Sequence, residues 1–227
     1  MTDLLTAIDD QTALLVSDAR HCPDLAAPSL CQGWSRDHVL NHIARNAEAL
    51  IRLVGSAVDG TGETMYVSPE ARDAEIDDGV GRAQPELVAD VQNTAVPLAA
   101  ALRRLTPDHA DVVLERTPGG PTFKGGMLTF MRLREVVYHH VDLDLAFDFE
   151  DLDAELQVLF IENEVKRQRA ASTAPSLTIR SDEGDDWSIG DGDVHVSGSR
   201  GGILRWLARQ DASGVRGDAI PDLTAGL

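Results

Sequence analysis

Apolar residues recur at helical spacing in long blocks through most of the chain and give way to short alternating runs only near its end. Leu4, Leu5, Ile8, Leu14 and Leu15 form the stripe of a first amphipathic helix, followed by a loop through Pro23, Pro28 and Gly33. Ser35 stands where an N-cap belongs, and Val39, Leu40, Ile43, Ala47, Leu50, Ile51 and Val54 carry a helical period as far as Gly55 and Gly60. Ser68-Pro69-Glu70 reads as the cap, first-position proline and first-turn acid of a short helix ending near Gly79. Pro85 opens another long helix, with Leu87, Val91, Ala95, Leu98 and Leu102 on one face and Pro97 as a point for a kink.

Beyond Pro107 the pattern changes: Val112 to Glu115 looks extended and Pro118-Gly-Gly-Pro121 is a turn, which predicts a short hairpin. Helical periodicity resumes from Met127 to about Phe147 and again from Leu152 to Ala171, where Glu155, Glu162, Glu164, Lys166 and Arg167 form a charged face. After Ser172, short alternating strands (Leu177–Arg180, Trp187–Ile189, Val194–Val196) are separated by Gly/Asp turns; a compact helix follows from Gly202 to Arg209, and Val215 starts a last strand. The expected class is α+β: a helical bundle over residues 1–171 and a small α/β domain over 172–227. The sequence contains no internal repeat and no low-complexity tract.

A formal net charge of −18 argues against a phosphate-backbone partner and against anionic membranes, both of which select Lys and Arg. No apolar run approaches the roughly 20 residues that span a bilayer, and MTDLLTAIDD carries acids where a secretory signal carries bases, so a cytoplasmic protein is expected. The expected partners are small molecules, and the expected assembly is a monomer or weak oligomer. Cys22 and Cys31, the only cysteines, have no CxxC spacing and read as ordinary reduced thiols.

The chemistry-bearing pattern is Glu135-Val-Val-Tyr-His139, whose carboxylate and imidazole fall on one helix face about 5.4 Å apart along the axis. Such a pair is able to grip one metal ion; taken alone, it more often describes a helix-surface ion pair. A third ligand is available on a different helix in Arg36-Asp-His38-Val-Leu-Asn-His42, where His42 shares a stripe with Val39. His38 and His42 are themselves four apart, so another ligand choice, or two buried structural histidines, stays open. A facial His/His/Glu set leaves positions for water or substrate, as catalytic zinc does; iron, nickel and manganese accept the same donors. His140 points about 100° away from His139, whereas Asp142 returns to the ligand face, either to orient a ligand or to be solvated.

Three blocks in order resemble the mycothiol-dependent maleylpyruvate isomerases of the DinB-like superfamily of metal-binding four-helix bundles: Gly33-Trp-Ser-Arg-Asp-His-Val-Leu-Asn-His42-Ile-Ala-Arg-Asn46, Met65-Tyr-Val-Ser-Pro-Glu-Ala-Arg72 and Met131-Arg-Leu-Arg-Glu135-Val-Val-Tyr-His139-His-Val-Asp-Leu143. The resemblance covers nearly the whole chain. It implies a DinB-like bundle with zinc on His42, Glu135 and His139, mycothiol as cofactor, and conversion of maleylpyruvate to fumarylpyruvate in gentisate breakdown. It also implies a catalytic arginine near the end of the last helix. Family members often read Gly-Arg there, whereas this chain reads Trp206-Leu-Ala-Arg209-Gln210, which makes Arg209 the candidate and Arg205 the next.

Cis-trans isomerisation of a conjugated C=C bond needs reversible nucleophilic addition, and a metal-held thiolate suits that task. An arginine would then stabilise the charge that gathers on the substrate oxygens. Asn41, Tyr66 and Tyr138 are candidate cofactor-pocket residues, and Trp34 reads as a hydrophobic anchor beside the Ser35 cap. Two other readings use the same features: a mycothiol S-transferase acting on electrophiles, and a non-catalytic metal- or thiol-binding module.

Overall fold

The computed structural model describes residues 3–172, 174–217 and 219–223, and divides into two compact units, Asp3–Ala146 and Phe147–Leu227. In the first unit the long helices are α1 (Leu4–His21), α2 (Arg36–Asp59), α4 (Gln84–Leu102) and α5 (Leu128–Asp142), with the short α3 (Pro69–Asp77) between α2 and α4. Helices α1 and α2 each pack on both α4 and α5, which makes the expected four-helix core. Its centre holds Leu15, Leu40, Ile43, Leu87, Val91 and Val136, all fully or almost fully buried.

The helix starts are fixed by their own side chains. The Asp3 carboxylate accepts from Leu5 N at 3.1 Å, and the Ser68 hydroxyl accepts from Ala71 N at 3.1 Å with Pro69 in the first turn. Gly60, at φ 69°, supplies the left-handed residue that ends α2. Helix α4 runs through Pro97, which lies on its exposed side.

The predicted hairpin pairs β1 (Val113–Glu115) with β2 (Thr122–Lys124), Leu114 opposite Phe123. The chain after α2 lies along it: Met65 N donates to Glu115 O at 3.0 Å and Tyr66 N to Arg116 O at 2.9 Å, while Arg52 of α2 holds the Met65 carbonyl. The Tyr66 ring is thereby fixed and buried.

The second unit contains α6 (Ala154–Ala170), α7 (Arg200–Arg209) and a mixed sheet of β3 (Leu177–Ser181), β4 (Asp186–Ile189), β5 (Val194–Gly198) and β6 (Val215–Arg216), in the order β4-β3-β5-β6. The β3–β5 pair is parallel and the other two pairs are antiparallel. The two compact units divide at Ala146/Phe147, ahead of the boundary that the composition shift suggests near 172. Helix α6 buries Leu156, Phe160, Ile161 and Val165 and packs on α7 and β4, so burial joins it to the sheet although its composition matches the bundle. No helix among the described residues is long and apolar enough to cross a membrane.

Candidate metal centre

Helices α2 and α5 pack together and bring the two sequence motifs face to face. His42 Nε2 lies 2.9 Å from Glu135 Oε2, though 93 residues separate them along the chain, and His139 Nε2 lies 3.5 Å from the same oxygen. The two imidazoles meet edge to face with centroids 4.8 Å apart. One donor atom from each of the three residues falls within 4.8 Å of the others, a span that one shared ion can bridge.

His139 is oriented from behind. Its Nδ1 lies 2.8 Å from Oδ2 of the fully buried Asp142, and the Cys31 thiol donates to that same oxygen at 3.2 Å. A carboxylate on Nδ1 fixes the ring and leaves Nε2 facing Glu135, the usual arrangement behind a metal-bound histidine. Cys31, His139 and Asp142 also form a compact donor group. Their hydrogen bonds to one another make them the support of the first set.

The electrostatics suit a cation. Burial drives the His42 pKa down to about 4, despite the pull of Glu135, so this imidazole is neutral at neutral pH with a lone pair to offer. Burial works against the Glu135 charge, yet hydrogen bonds from His139 and His42 hold its carboxyl well below the usual range. Burial likewise opposes a charged His139, but Asp142, Cys31 and Glu135 raise its pKa well above the ordinary histidine value. Two carboxylates around one imidazole thus call for positive charge. A proton on His139 supplies it in the free protein, and a divalent ion fits the same donors.

The other predicted residues divide. His38 caps α2, its Nδ1 accepting from Ser35 N at 3.2 Å, which takes it out of the ligand set. His140 is buried toward α1 with Nε2 3.0 Å from Asp18, as its angular offset required. Asn41 is not open to a pocket: its amide donates to the Glu75 and Ile76 carbonyls at 2.8 and 2.7 Å, pinning the end of α3 to α2. Gly79 is required there, because a Cβ at that position would fall 2.0 Å from the Asn41 side chain. Tyr138 is buried in α5. Arg205 and Arg209 belong to the second unit. Arg205 pairs with Asp148 and with Asp211, and Arg209 donates to the Ala208 carbonyl at 3.1 Å.

Sequence reasoning gave too little weight to three residues. Trp34 faces His42 and His139 with centroids 5.2 and 6.2 Å away, so the anchor is also a wall of the site. The Arg72 guanidinium lies over both Trp34, at 5.6 Å, and Tyr66, at 5.9 Å, within cation–π range. Its positive charge reaches His42. Cys31 supports His139 through Asp142. Trp34, Arg72 and Tyr66 all fall in blocks quoted for the resemblance, which was the available signal; nothing in the spacing singled out Cys31.

We expect Asp142→Asn to weaken metal binding roughly 10–100-fold while the bundle stays folded, as loss of a partner behind a ligating histidine does. A competitive chelator titration measures it, and unchanged affinity would remove Asp142 from the support of the site.

Fold and site together describe a helical-bundle protein whose first unit gathers His42, Glu135 and His139 into a cluster with the donor set of a metal site. Residues 5–144 match the sequence profile of the family described as mycothiol maleylpyruvate isomerase N-terminal domain, and the chain belongs to that family. Among solved structures it is similar to a crystal structure of the mycothiol-dependent maleylpyruvate isomerase, with 27% identity, TM-score 0.86, and coverage of 99% of this chain and 96% of that one. A histidine-to-alanine mutant of that enzyme matches at 26% identity with the same TM-score, 0.86, and the same coverage, 99% and 96%. No curated protein matches the chain.

Proposed function

We propose that this chain is a cis-trans isomerase that converts maleylpyruvate to fumarylpyruvate, using mycothiol and a divalent metal, zinc by donor type, held by His42, Glu135 and His139. The observation carrying this reading is the 2.9 Å approach of His42 Nε2 to Glu135 Oε2, with His139 Nε2 on the same oxygen at 3.5 Å. His42, Glu135 and His139 would hold the metal, which would lower the pKa of a bound thiol and so supply the nucleophile that reversible addition to a conjugated C=C bond requires.

The chain's own residues do the rest. His42, which is neutral, and His139, oriented by Asp142, aim their Nε2 atoms at the same Glu135 oxygen, and a cation binding there would displace the His139 proton. Arg72, braced on two aromatic rings, presents a cation to the dicarboxylate, which a chain of net charge −18 would otherwise repel. Trp34 screens the donors from water, strengthening every charge interaction behind it. Arg209 keeps the catalytic role that the family resemblance suggests, and Arg205, paired to Asp148 and Asp211, braces its own unit. Tyr66 and Tyr138 remain the pocket candidates, and Asn41 is a positioning residue through α3. Acidity and the absence of a membrane-length apolar helix among the described residues support small-molecule partners and a cytoplasmic location.

The test is metal analysis of the purified protein, then incubation with maleylpyruvate with and without mycothiol. Fumarylpyruvate should form only with the thiol and stop when a chelator strips the metal. A conjugate of thiol and substrate as the end product would instead make the protein an S-transferase.

Metal loading should depend on pH with a definite sign. His139 has its pKa raised, so in the free protein it stays protonated through neutral pH and a metal must displace that proton. Affinity therefore falls as pH drops below that raised value, by up to about tenfold per unit for one displaced proton. Affinity that is flat between pH 6 and 8 would contradict the protonated His139.

A further inference from the structure

We propose that Arg116 is a substrate-binding residue, the second cation of a clamp whose first arm is Arg72, and that it sets a preference for dicarboxylates over monocarboxylates. The inference rests on the isomerase reading for the identity of the substrate and adds the residue that reads its far carboxylate. Both guanidiniums lie over one ring, that of Tyr66, with Arg72 Cζ 5.9 Å and Arg116 Cζ 5.6 Å from its centroid.

This ring adjoins the donor set. Burial, and then the Glu135 charge, raises the Tyr66 pKa while both arginines pull it down, so one hydroxyl lies within electrostatic reach of a metal donor and of the two cations. Arg72 also reaches His42. Arg116 comes from the hairpin, directly after β1: its N–H donates to Pro121 O at 2.9 Å and its carbonyl accepts from Tyr66 N at 2.9 Å. Its backbone is thus tied both to the returning strand and to the segment that carries the ring, which fixes where the side chain starts.

Arg116 is also a cation without a counter-charge. It is half-buried, and among the described residues its guanidinium has no hydrogen bond or ion pair; its nitrogens are open to solvent, unlike Arg72 Nε, which is buried without a partner. Glu115, its neighbour in the chain, commits its carboxylate to Gly119 N at 2.9 Å. By contrast Arg45, Arg82, Arg103 and Arg104 each pair with an acid, and Arg72 shares its charge with Asp73 at 2.7 Å. A guanidinium lying over a ring keeps its N–H donors in its own plane, where a carboxylate takes them in pairs. One carboxylate meets one arm; two carboxylates joined by a short chain meet both.

The experiment is calorimetric titration of the full chain, wild type and Arg116→Gln, with heptanedioate and with its monomethyl ester, saturated probes that take no part in thiol addition and differ by one charge. The wild type should bind the diacid roughly tenfold or more tighter than the ester, the worth of one charge-assisted hydrogen bond. Arg116→Gln should lose that preference by weakening the diacid and leaving the ester unchanged. If the wild type does not bind the diacid, binds it no tighter than the ester, or if Arg116→Gln weakens both probes equally, the proposal fails; the last outcome would make Arg116 a brace for the Tyr66 ring. Should Arg116→Gln not fold, Arg116→Lys takes its place, with a smaller weakening confined to the diacid. The product assay with maleylpyruvate is read separately: a wild type that makes fumarylpyruvate yet shows no preference for the diacid sinks Arg116 alone, and one that prefers the diacid yet makes no product sinks the isomerase reading alone.

Discussion

Replacing His42 by alanine is expected to lower thiol-dependent isomerisation by about a thousandfold or more and to reduce bound metal to substoichiometric levels. A Lewis-acidic ion is worth several kcal/mol of barrier, and each 1.36 kcal/mol is about tenfold in rate. His42 is the only donor that α2 contributes to the His42/Glu135/His139 set, so its loss leaves Glu135 and His139 one turn apart on α5 with nothing closing the opposite side. Glu135 also loses its 2.9 Å hydrogen bond, and its carboxyl pKa should rise toward the ordinary range. The fold should survive, because alanine is the strongest helix former and α2 is otherwise held by Leu40, Ile43, Leu50 and Leu53. Metal content, circular dichroism and product formation are the measurements. A variant that holds no metal yet keeps wild-type activity would overturn the ligand assignment.

The second large effect is on stability. Leu40→Ala should cost about 2–5 kcal/mol, because Leu40 is completely buried where α2 meets the cluster of Leu15, Leu87, Val91 and Val136, and those neighbours belong to three other helices. Two buried helix faces cannot both close on the void, so the upper part of that range is favoured. Urea unfolding followed by circular dichroism reads the loss as a lower midpoint at an unchanged slope. Metal stoichiometry should be normal in the folded fraction, which separates damage to the scaffold from damage to the site. A cost below about 1 kcal/mol would mean that the cluster is not the cooperative core.

Periodicity and cap signals located the seven α-helices of the described residues, but their partners were beyond either. The stripe of Val39, Leu40 and Ile43 pointed to a buried face and the E-x3-H pair, taken alone, to a surface ion pair; packing brings the two helices face to face. Helix α6 was assigned to the bundle because its pattern resembles the helices before it; its partners, α7 and β4, lie later in the chain, where a local reading cannot reach. At the site His42, Glu135 and His139 were legible only through the family resemblance, since the E-x3-H spacing alone left a surface ion pair and other choices open. Arg72 was not, since a cation–π contact imposes no spacing and depends on how α3 folds back across Trp34. Asn41 failed for the opposite reason: a polar residue beside a ligand looks functional until its amide is found on two backbone carbonyls.

That clamp makes α3 an attachable cover. Asn41, next to His42, and Gly79 hold the segment bearing Arg72 together with the buried Ile76 and the approach of Asp77 to His38, and none of His42, Glu135 and His139 resides on it. Exchanging residues 68–77 for a segment of different charge should retune which acids the site admits without rebuilding the coordination chemistry beneath, so recognition and reactivity are free to diverge along separate stretches of chain.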